Sequence, residues 1–275
     1  MDNFTLETLY LPFDYDDSER RVRIYLPENY ESSNKRYPVL YMLDGQNVFY
    51  DGESFSGMSW RAIQALKQTN LSDKLILVAV DHADDNRFYD YTPYVSDFPI
   101  DIHGKQFYNG HGHLFADFLV NTIKPVIDET YPTLSSRKYT AVCGSSLGGL
   151  MTAFFGSKFT NTFKFFGVFS LASYFCKTDF LDSIENNPVR KKSFYYIQTG
   201  TEEGLDEKGK GSKALSQEFI NSAIDYSKAL VKARVPIHQI QLSINAFEKH
   251  QEKYWALHLP KFLTMLKTEM NLSDD

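Results

Sequence analysis

The amino-acid sequence predicts an α/β protein built on a mostly parallel, doubly wound sheet. Short apolar runs alternate with amphipathic segments along almost the whole chain, which indicates strands that alternate with helices. Such an alternation requires crossover connections, and crossovers make neighbouring strands parallel. No repeat, low-complexity segment or linker-like stretch divides the 275 residues. We therefore expect one domain that spans residues 1–275.

Two kinds of pattern predict the individual elements. Because only the short turn-rich stretch DYDDSE joins the first two strands, we expect them to form an antiparallel edge of the sheet. Pro125 predicts a kink in the second helix. Apolar or alternating runs predict strands over 5–11, 20–27, 38–44, 75–81, 139–144, 165–172, 193–200 and 237–244, and apolar residues at helical spacing predict helices over 59–69, 113–131, 149–159, 212–234 and 252–270.

Charge and composition narrow the classes of function. The chain has 35 acidic and 29 basic residues, a formal net charge of −6, which disfavours nucleic acid and anionic membrane surfaces as partners. Cys143 and Cys176 lie in apolar surroundings and match no disulfide or metal pattern, so we expect buried free thiols. No signal peptide is visible, and no apolar run approaches the ~18 residues of a membrane span. These features predict a soluble, cytoplasmic protein with a small-molecule partner, and they leave a homo-oligomer open.

The segment VCGSSLGGL, residues 142–150, contains the pattern G-x-S-x-G between a predicted strand and a predicted helix. This is the context of a nucleophile elbow, a strained turn that lifts one serine hydroxyl above the carboxyl edge of a sheet. The serine position of this pattern is occupied by Ser146, which is therefore the predicted nucleophile. Ser145 is expected to pack or to form a hydrogen bond nearby. The motif predicts an α/β-hydrolase fold.

A serine hydroxyl needs a base that takes its proton, and in α/β hydrolases the base follows the nucleophile and the acid along the chain. Three histidines follow Ser146, namely His238, His250 and His258. His238 lies at the last predicted strand and His258 within the last helix. His250 lies in the loop after that strand, where a base can reach the carboxyl edge of the sheet. We therefore select His250.

The acid that orients this base is predicted in the loop after the strand SFYYIQTG. Glu202, Glu203 and Asp206 all lie there, beyond the carboxyl end of a strand between nucleophile and base. Spacing alone does not identify which of the three carboxylates is the acid.

Two backbone amides are needed to bind the oxyanion of the tetrahedral intermediate. We expect one amide from Leu147, directly after the nucleophile. The second candidate is the amide of Gln46 in LYMLDGQNVF, where Gly45 lets the chain turn after an earlier strand.

With these residues placed, the sequence resembles the putative-esterase branch of the α/β hydrolases, which includes siderophore esterases, feruloyl esterases, esterase D and mycolyltransferases. The similar stretches are YPVLYMLDGQNVF, NRFYDYTPY, CGSSLGGL, TGTEEG and HQEKYW. The resemblance implies an open cleft without a large lid and without a cofactor. It supports His250 as the base and maps the acid to Glu203, although many relatives have aspartate there.

Residues and resemblance together predict a serine carboxylesterase with a Ser-His-Glu triad and an acyl-enzyme intermediate. An acyltransferase that uses the same acyl-enzyme is the main alternative, and a non-catalytic binding module is another. The natural ester stays open among siderophore, aryl, acetylated-sugar and short aliphatic esters.

The remaining signals are weaker. Trp60 and Tyr94 are candidate substrate-binding residues because they follow strands whose carboxyl ends should face the predicted site, and core packing is the competing interpretation. Arg87 and Tyr91 are further candidates that either line the substrate cleft or brace their own loop, and the sequence does not separate these two roles. The pair His111 and His113 and the carboxylate-rich loop 82–90 lack the ligand spacing of a zinc or calcium site. We therefore predict no metal site.

Overall fold

The apolar runs of the sequence form one eight-stranded sheet. The computed structural model describes residues 4–28, 30–83, 86–102, 104–186 and 192–272. The strand order in the sheet is β1-β2-β4-β3-β7-β8-β9-β10, and β5 and β6 pair separately as a small hairpin. The strands are β1 (Phe4–Phe13), β2 (Ser18–Pro27), β3 (Val39–Leu43), β4 (Ile76–Val80), β5 (Ile100–Ile102), β6 (Lys105–Phe107), β7 (Thr140–Ser145), β8 (Phe165–Phe169), β9 (Phe194–Gly200) and β10 (Ile240–Asn245).

Within this sheet, β2 runs antiparallel to both of its neighbours, and the strands from β4 to β10 all run in one direction. The pairs β1–β2 and β2–β4 are antiparallel, and every later pair from β4–β3 to β9–β10 is parallel. The predicted α/β class, the mostly parallel sheet and its antiparallel N-terminal edge are therefore confirmed. Because the later strands are parallel, the loops after β3, β7, β8, β9 and β10 all leave the sheet at the same edge.

Helices cover both faces of the sheet, as the term doubly wound requires. On β3, Val39, Tyr41 and Leu43 face one hydrophobic core, while Leu40 and Met42 face a second core that also contains residues of α1 and α8. The helices are α1 (Ala62–Gln68), α2 (Arg87–Asp90), α3 (Gly112–Phe118), α4 (Lys124–Thr130), α5 (Leu147–Lys158), α6 (Lys177–Glu185), α7 (Lys213–Lys232) and α8 (Glu252–Glu269). None of the helices in the described part of the chain is both long and apolar enough to cross a bilayer.

The long second helix is interrupted as Pro125 predicts. A π-helical turn, Leu119–Ile123, separates α3 from α4, and Pro125 lies in the first turn of α4. Proline has no amide hydrogen to donate and its ring clashes with the preceding turn, so it disturbs the regular hydrogen-bond ladder there.

Three elements were not predicted, namely α2, α6 and the β5–β6 hairpin. Two of them are too short to produce a recognisable periodicity of apolar residues in the sequence, since α2 has four residues and each hairpin strand has three. In addition, β8 ends at Phe169, earlier than the predicted 172, because Ser170 adopts a positive φ of 44°. These differences all lie in the connections that follow β4 and β8.

Candidate active site

The turn between β7 and α5 has the strained geometry of a nucleophile elbow. Ser146 has φ 59° and ψ −121°, a backbone conformation that non-glycine residues rarely adopt. Its side chain is partly exposed, whereas Ser145 and Leu147 on either side are buried. A Cβ on Gly144 would lie 2.7 Å from the carbonyl oxygen of Gly148, so the turn closes only with glycine there. The structure therefore presents Ser146, and not Ser145, at the surface of the elbow.

Glu203 and His250 meet at the same edge of the sheet. The Nδ1 atom of His250 lies 2.7 Å from Oε2 of Glu203, which is almost completely buried. A carboxylate only accepts hydrogen bonds, so Nδ1 carries the proton and Nε2 is left as the basic nitrogen. The ring of His250 packs between Phe219 and Trp255 at centroid distances of 4.8 and 5.2 Å. The imidazole is therefore held in one orientation by a hydrogen bond and two aromatic contacts.

Three further donors bind the other oxygen of Glu203. Its Oε1 accepts from the Ser170 hydroxyl at 2.6 Å, the Gly200 amide at 2.6 Å and the Thr199 hydroxyl at 3.3 Å. Burial by itself raises the pKa of Glu203, but the hydrogen bond and charge of His250, together with the Ser170 and Gly200 donors, lower it below its ordinary value. Glu203 is therefore held as a carboxylate beside the imidazole.

Ser170 extends this network into the core. The indole Nε1 of Trp255 donates to the Ser170 hydroxyl at 2.8 Å, and Ser170 in turn donates to Glu203. Sequence reasoning missed both residues as parts of the site. A signal existed for Trp255, because it belongs to the HQEKYW stretch on which the resemblance rests. No sequence signal marks Ser170.

The elbow and the acid–base pair are joined through β8. The amide of Ser146 donates to the carbonyl oxygen of Phe169 at 3.0 Å, and the next residue, Ser170, binds Glu203. No hydrogen bond joins the Ser146 hydroxyl to the His250 ring among the described residues. Hydrogen bonds between catalytic groups are often long without substrate, so the contact between these two side chains belongs to the proposal below.

The two predicted oxyanion donors lie on neighbouring loops. The Leu147 amide opens α5, and the Gln46 amide lies in the 3₁₀ turn Gly45–Asn47 after β3. Neither amide donates a hydrogen bond to another described residue, which is the state an oxyanion hole requires. A Cβ on Gly148 would lie 2.9 Å from Oδ2 of Asp44, so the two loops are in close contact.

The Gln46 side chain fixes its own loop. Its Nε2 donates to the His82 carbonyl at 3.0 Å, and its Oε1 accepts from the His82 amide at 3.2 Å. This pair of hydrogen bonds attaches the β3 loop to the residue after Asp81, at the carboxyl end of β4. The side chain of Gln46 thus positions its own backbone.

An ion pair between the buried Asp44 and the partly exposed Arg87 lies at the same loop. Arg87 donates to both carboxylate oxygens of Asp44 at 2.6 and 2.8 Å, and the Tyr91 hydroxyl accepts from the Asp44 amide at 3.2 Å. Burial lowers the pKa of Arg87, but the Asp44 carboxylate outweighs burial and raises it above its ordinary value. Arg87 and Tyr91, predicted as substrate-binding residues, therefore brace the loop that carries the predicted oxyanion donor, and contact with substrate stays a prediction for both.

The other two candidate substrate residues, Trp60 and Tyr94, are buried. Trp60 packs against Phe169 and Trp255 at centroid distances of 4.8 and 5.6 Å. Tyr94 packs edge-to-face on Phe154 and Phe180. These contacts assign both side chains to packing, and a role in substrate binding stays a prediction.

The alternative acids are placed away from the base. The Glu202 carboxylate lies 4.0 Å from Nζ of Lys249, and Asp206 accepts from the amides of Lys208 and Lys210 within its own turn. Neither shows a contact with His250.

The alternative histidines are also placed elsewhere. His238 is exposed in a 3₁₀ turn before β10, and His258 is buried and binds Glu248 at 2.8 Å. The structure thus brings together Glu203 and His250 and leaves the four alternatives outside the pair.

The metal candidates behave as ordinary side chains where they are described. His111 packs against Tyr15 and Tyr89, and no group of three or more potential ligands occurs within the described residues. Two residues of the loop 82–90, Asp84 and Asp85, lie outside the described residues.

Known proteins resemble this chain in sequence and in fold. The family described as Putative esterase matches residues 15–265. Uncharacterized protein YbbA of Bacillus subtilis (strain 168) is 22% identical over 225 residues, which cover 80% of this chain and 81% of that protein. A solved ferulic acid esterase has a TM-score of 0.71 at 15% identity and covers 98% of this chain and 100% of its own. Siderophore hydrolase EstA from Aspergillus nidulans has a TM-score of 0.72 at 16% identity and covers 99% of this chain and 95% of its own.

These similarities confirm the resemblance and the α/β-hydrolase fold predicted from the sequence. The family match includes β2 to β4, the elbow, the acid loop and His250, so it spans every element of the candidate site. The chain therefore belongs to the Putative esterase family, and it has the fold of the hydrolases that it resembles.

Proposed function

We propose that the protein is a serine carboxylesterase that works through an acyl-enzyme. Ser146 Oγ attacks the ester carbonyl carbon while Nε2 of His250 accepts the hydroxyl proton, and Glu203 stabilises the imidazolium that forms. The amides of Gln46 and Leu147 bind the oxyanion of the tetrahedral intermediate.

Two further steps complete the cycle. The tetrahedral intermediate collapses, the bond to the alcohol oxygen breaks, and His250 gives its proton to the leaving alcohol. Water then attacks the acyl-enzyme while Nε2 takes one of its protons, and the carboxylic acid leaves as Ser146 regains its hydrogen. The reaction needs no group beyond these side chains, the two amides and water.

One observation carries the proposal. A buried carboxylate holds Nδ1 of His250 at 2.7 Å, on the edge of the sheet where Ser146 is held in a strained conformation. A surface ion pair does not require a carboxylate with four hydrogen-bond donors or a histidine clamped between two aromatic rings. An acid that orients a base must stay ionised and must hold the imidazole in one tautomer, and these contacts provide both. The ferulic acid esterase and siderophore hydrolase neighbours support ester substrates and leave the acyl group open.

The decisive variant is Ser146→Ala. It is expected to lower kcat on short p-nitrophenyl esters by about 10³-fold or more while the protein stays folded, because the nucleophile is gone and only oxyanion and substrate binding remain. A fluorophosphonate should label the wild type and not the variant, and Ser145→Ala is the matched control that should keep both properties. Wild-type turnover in Ser146→Ala contradicts the proposal.

Product analysis separates hydrolysis from transfer. With an added alcohol acceptor, a hydrolase releases the free acid at the rate seen without acceptor, and an acyltransferase forms the new ester instead. A panel of siderophore, aryl, acetylated-sugar and aliphatic esters then identifies the substrate class. A well-folded protein that fails to react with the fluorophosphonate indicates a non-catalytic binding module.

A further inference from the structure

A buried arginine on β2 contacts the loop that carries the second oxyanion donor. Arg23 is only 3% exposed, its Nη2 donates to the Gly45 carbonyl oxygen, and its Nη1 donates to Glu53 at 2.9 Å. The guanidinium carbon lies 5.3 Å from the centroid of the Phe49 ring. The only backbone atom that this guanidinium binds in the described structure is thus the oxygen of the Gly45–Gln46 peptide.

That peptide also contains the predicted oxyanion donor. The carbonyl of Gly45 and the amide hydrogen of Gln46 belong to one planar trans peptide, so they point in opposite directions. A donor that fixes the oxygen on the β2 side therefore fixes the amide hydrogen on the other side. On that side the Gln46 amide has no acceptor among the described residues, and the loop touches the elbow through Asp44 and Gly148.

The contact is charge-assisted and sterically constrained. Val48 already donates its amide to the Gly45 oxygen at 3.1 Å, as a 3₁₀ turn requires, and Arg23 adds a cationic donor from another element. Hydrogen bonds from charged donors are about twice as strong as neutral ones, and a cation on the oxygen polarises the peptide so that its N–H becomes a better donor. The peptide has little room to move, because a Cβ on Gly45 would lie 2.8 Å from the backbone of Val80 and Asp81.

Two carboxylates balance this buried charge. Oδ1 of Asp81 lies 3.7 Å from Nη2 of Arg23, and Glu53 binds Nη1. The neighbouring Arg21 binds the same two carboxylates, at 2.7 Å to Asp81 and 3.2 Å to Glu53, but it is one third exposed and shows no contact with Gly45. The chain therefore provides a matched pair of arginines that share their anionic partners and differ in the contact with the oxyanion peptide.

We propose that Arg23 is a positioning residue of the oxyanion hole, which holds and polarises the Gly45–Gln46 peptide so that the Gln46 amide points at the developing oxyanion. The proposal rests on the function proposed above. It gives a catalytic purpose to a buried cation that the triad does not use.

The test compares Arg23→Met with Arg21→Met on a short p-nitrophenyl ester. Arg23→Met should lower kcat and kcat/KM by about 10- to 100-fold, somewhat less than the loss of a whole oxyanion donor, with KM within about threefold of wild type. Inhibition by an aryl trifluoromethyl ketone, whose adduct places an oxyanion in the hole, should weaken by the same factor. Arg21→Met should stay within about twofold in both measurements.

Further variants keep the outcome interpretable. Arg23→Lys retains a cationic donor and should lose less activity than Arg23→Met. If Arg23→Met does not fold, Arg23→Gln replaces it in the comparison. Glutamine is neutral and of similar length, so the expected loss of kcat is the same. Thermal unfolding of every variant shows whether a loss of activity follows a loss of stability.

Three results overturn the inference. They are an unchanged kcat in folded Arg23→Met or Arg23→Gln, a rise in KM alone, and an equal loss of kcat in Arg21→Met. The last result would assign the effect to the shared ion-pair network instead of the peptide contact. If Ser146→Ala is inactive but Arg23→Met is fully active, the positioning role fails and the esterase proposal stands. If Ser146→Ala keeps wild-type turnover, both fail.

Discussion

The two halves of the candidate site are built in different ways. On the acid–base side, Glu203 and His250 contact each other directly, and four donors bind the carboxylate. On the oxyanion side, the Gln46 amide has no partner among the described residues. Its peptide is held by the Gln46 side chain and by the Arg23 contact with the Gly45 carbonyl oxygen. The first half is fixed by bonds between the functional groups themselves. The second is fixed by contacts of Arg23, Arg87 and the Gln46 side chain with the loop and its surroundings, and the variants below test this difference.

The largest effect is expected on the acid–base side, from Glu203→Gln. An amide at this position cannot stabilise the imidazolium and favours the wrong tautomer of His250, so kcat should fall by about 10³- to 10⁴-fold. KM should change little. Steady-state kinetics measure both, and Glu202→Gln is the control, with an expected change below twofold. A loss of the same size in the control would mean that the acid is assigned to the wrong residue.

The same variant checks the charge of the buried carboxylate. The folded state lowers the pKa of Glu203, so its ionised form stabilises the fold above the unfolded pKa of about 4.5, and this stabilisation is lost as pH falls through the lower folded value. The difference in unfolding free energy between wild type and Glu203→Gln should therefore be largest near neutral pH and should decrease below pH 4.5. Denaturant unfolding at a series of pH values measures it. A difference that grows on acidification would contradict the assignment.

A smaller effect is expected on the oxyanion side, from Gly45→Ala. The added Cβ would lie 2.8 Å from the backbone of Val80 and Asp81, so the loop must shift and take the Gln46 amide with it. A misplaced donor should lower kcat by about 10- to 100-fold. Gly52→Ala is the matched control, because a Cβ there meets no atom within 4 Å. Equal kcat in the two variants would show that the position of the loop does not limit the reaction.

The smallest effect is expected from Ser170→Ala. Glu203 keeps its other donors, so kcat should fall only about three- to tenfold. The buried indole N–H of Trp255 loses its acceptor, which should cost about 1–3 kcal/mol of unfolding free energy. Trp255→Phe removes the indole donor but leaves the Ser170–Glu203 hydrogen bond, so it should affect kcat less than Ser170→Ala does. The reverse order would indicate that packing on the His250 ring matters more than the hydrogen bond.

Sequence reasoning worked where the information is local. The elbow is encoded within nine residues, so strand, turn, helix and the choice of Ser146 over Ser145 all follow from one short segment. The α/β class and the antiparallel edge also follow from local patterns, and the structure confirms them. An irregularity at Pro125 was predicted as well, and a π-helical turn directly precedes the turn that contains this proline. The choice among Glu202, Glu203 and Asp206 could not be made by spacing, because it depends on which way each side chain points from one loop.

Residues that contact the site from distant parts of the sequence were not predicted. Ser170 and Arg23 reach the site from elements 33 residues before Glu203 and 22 residues before Gly45. Pairings of this kind depend on the order of strands in the sheet, which no single segment contains. The sequence did contain one signal for Arg23. It is a cation in the middle of the stretch RRVRIYLP, and its apolar neighbours in this strand are buried on both faces.

The order of strands has a consequence for heat inactivation. His250 follows β10, which pairs only with β9 among the described residues and exposes part of Leu242 and Ile244, whereas the elbow follows β7 in the middle of the sheet. Fraying of a border strand costs less free energy than melting of the interior. The imidazole is therefore attached to an edge of the sheet, and we expect warming to abolish turnover before the central strands unfold.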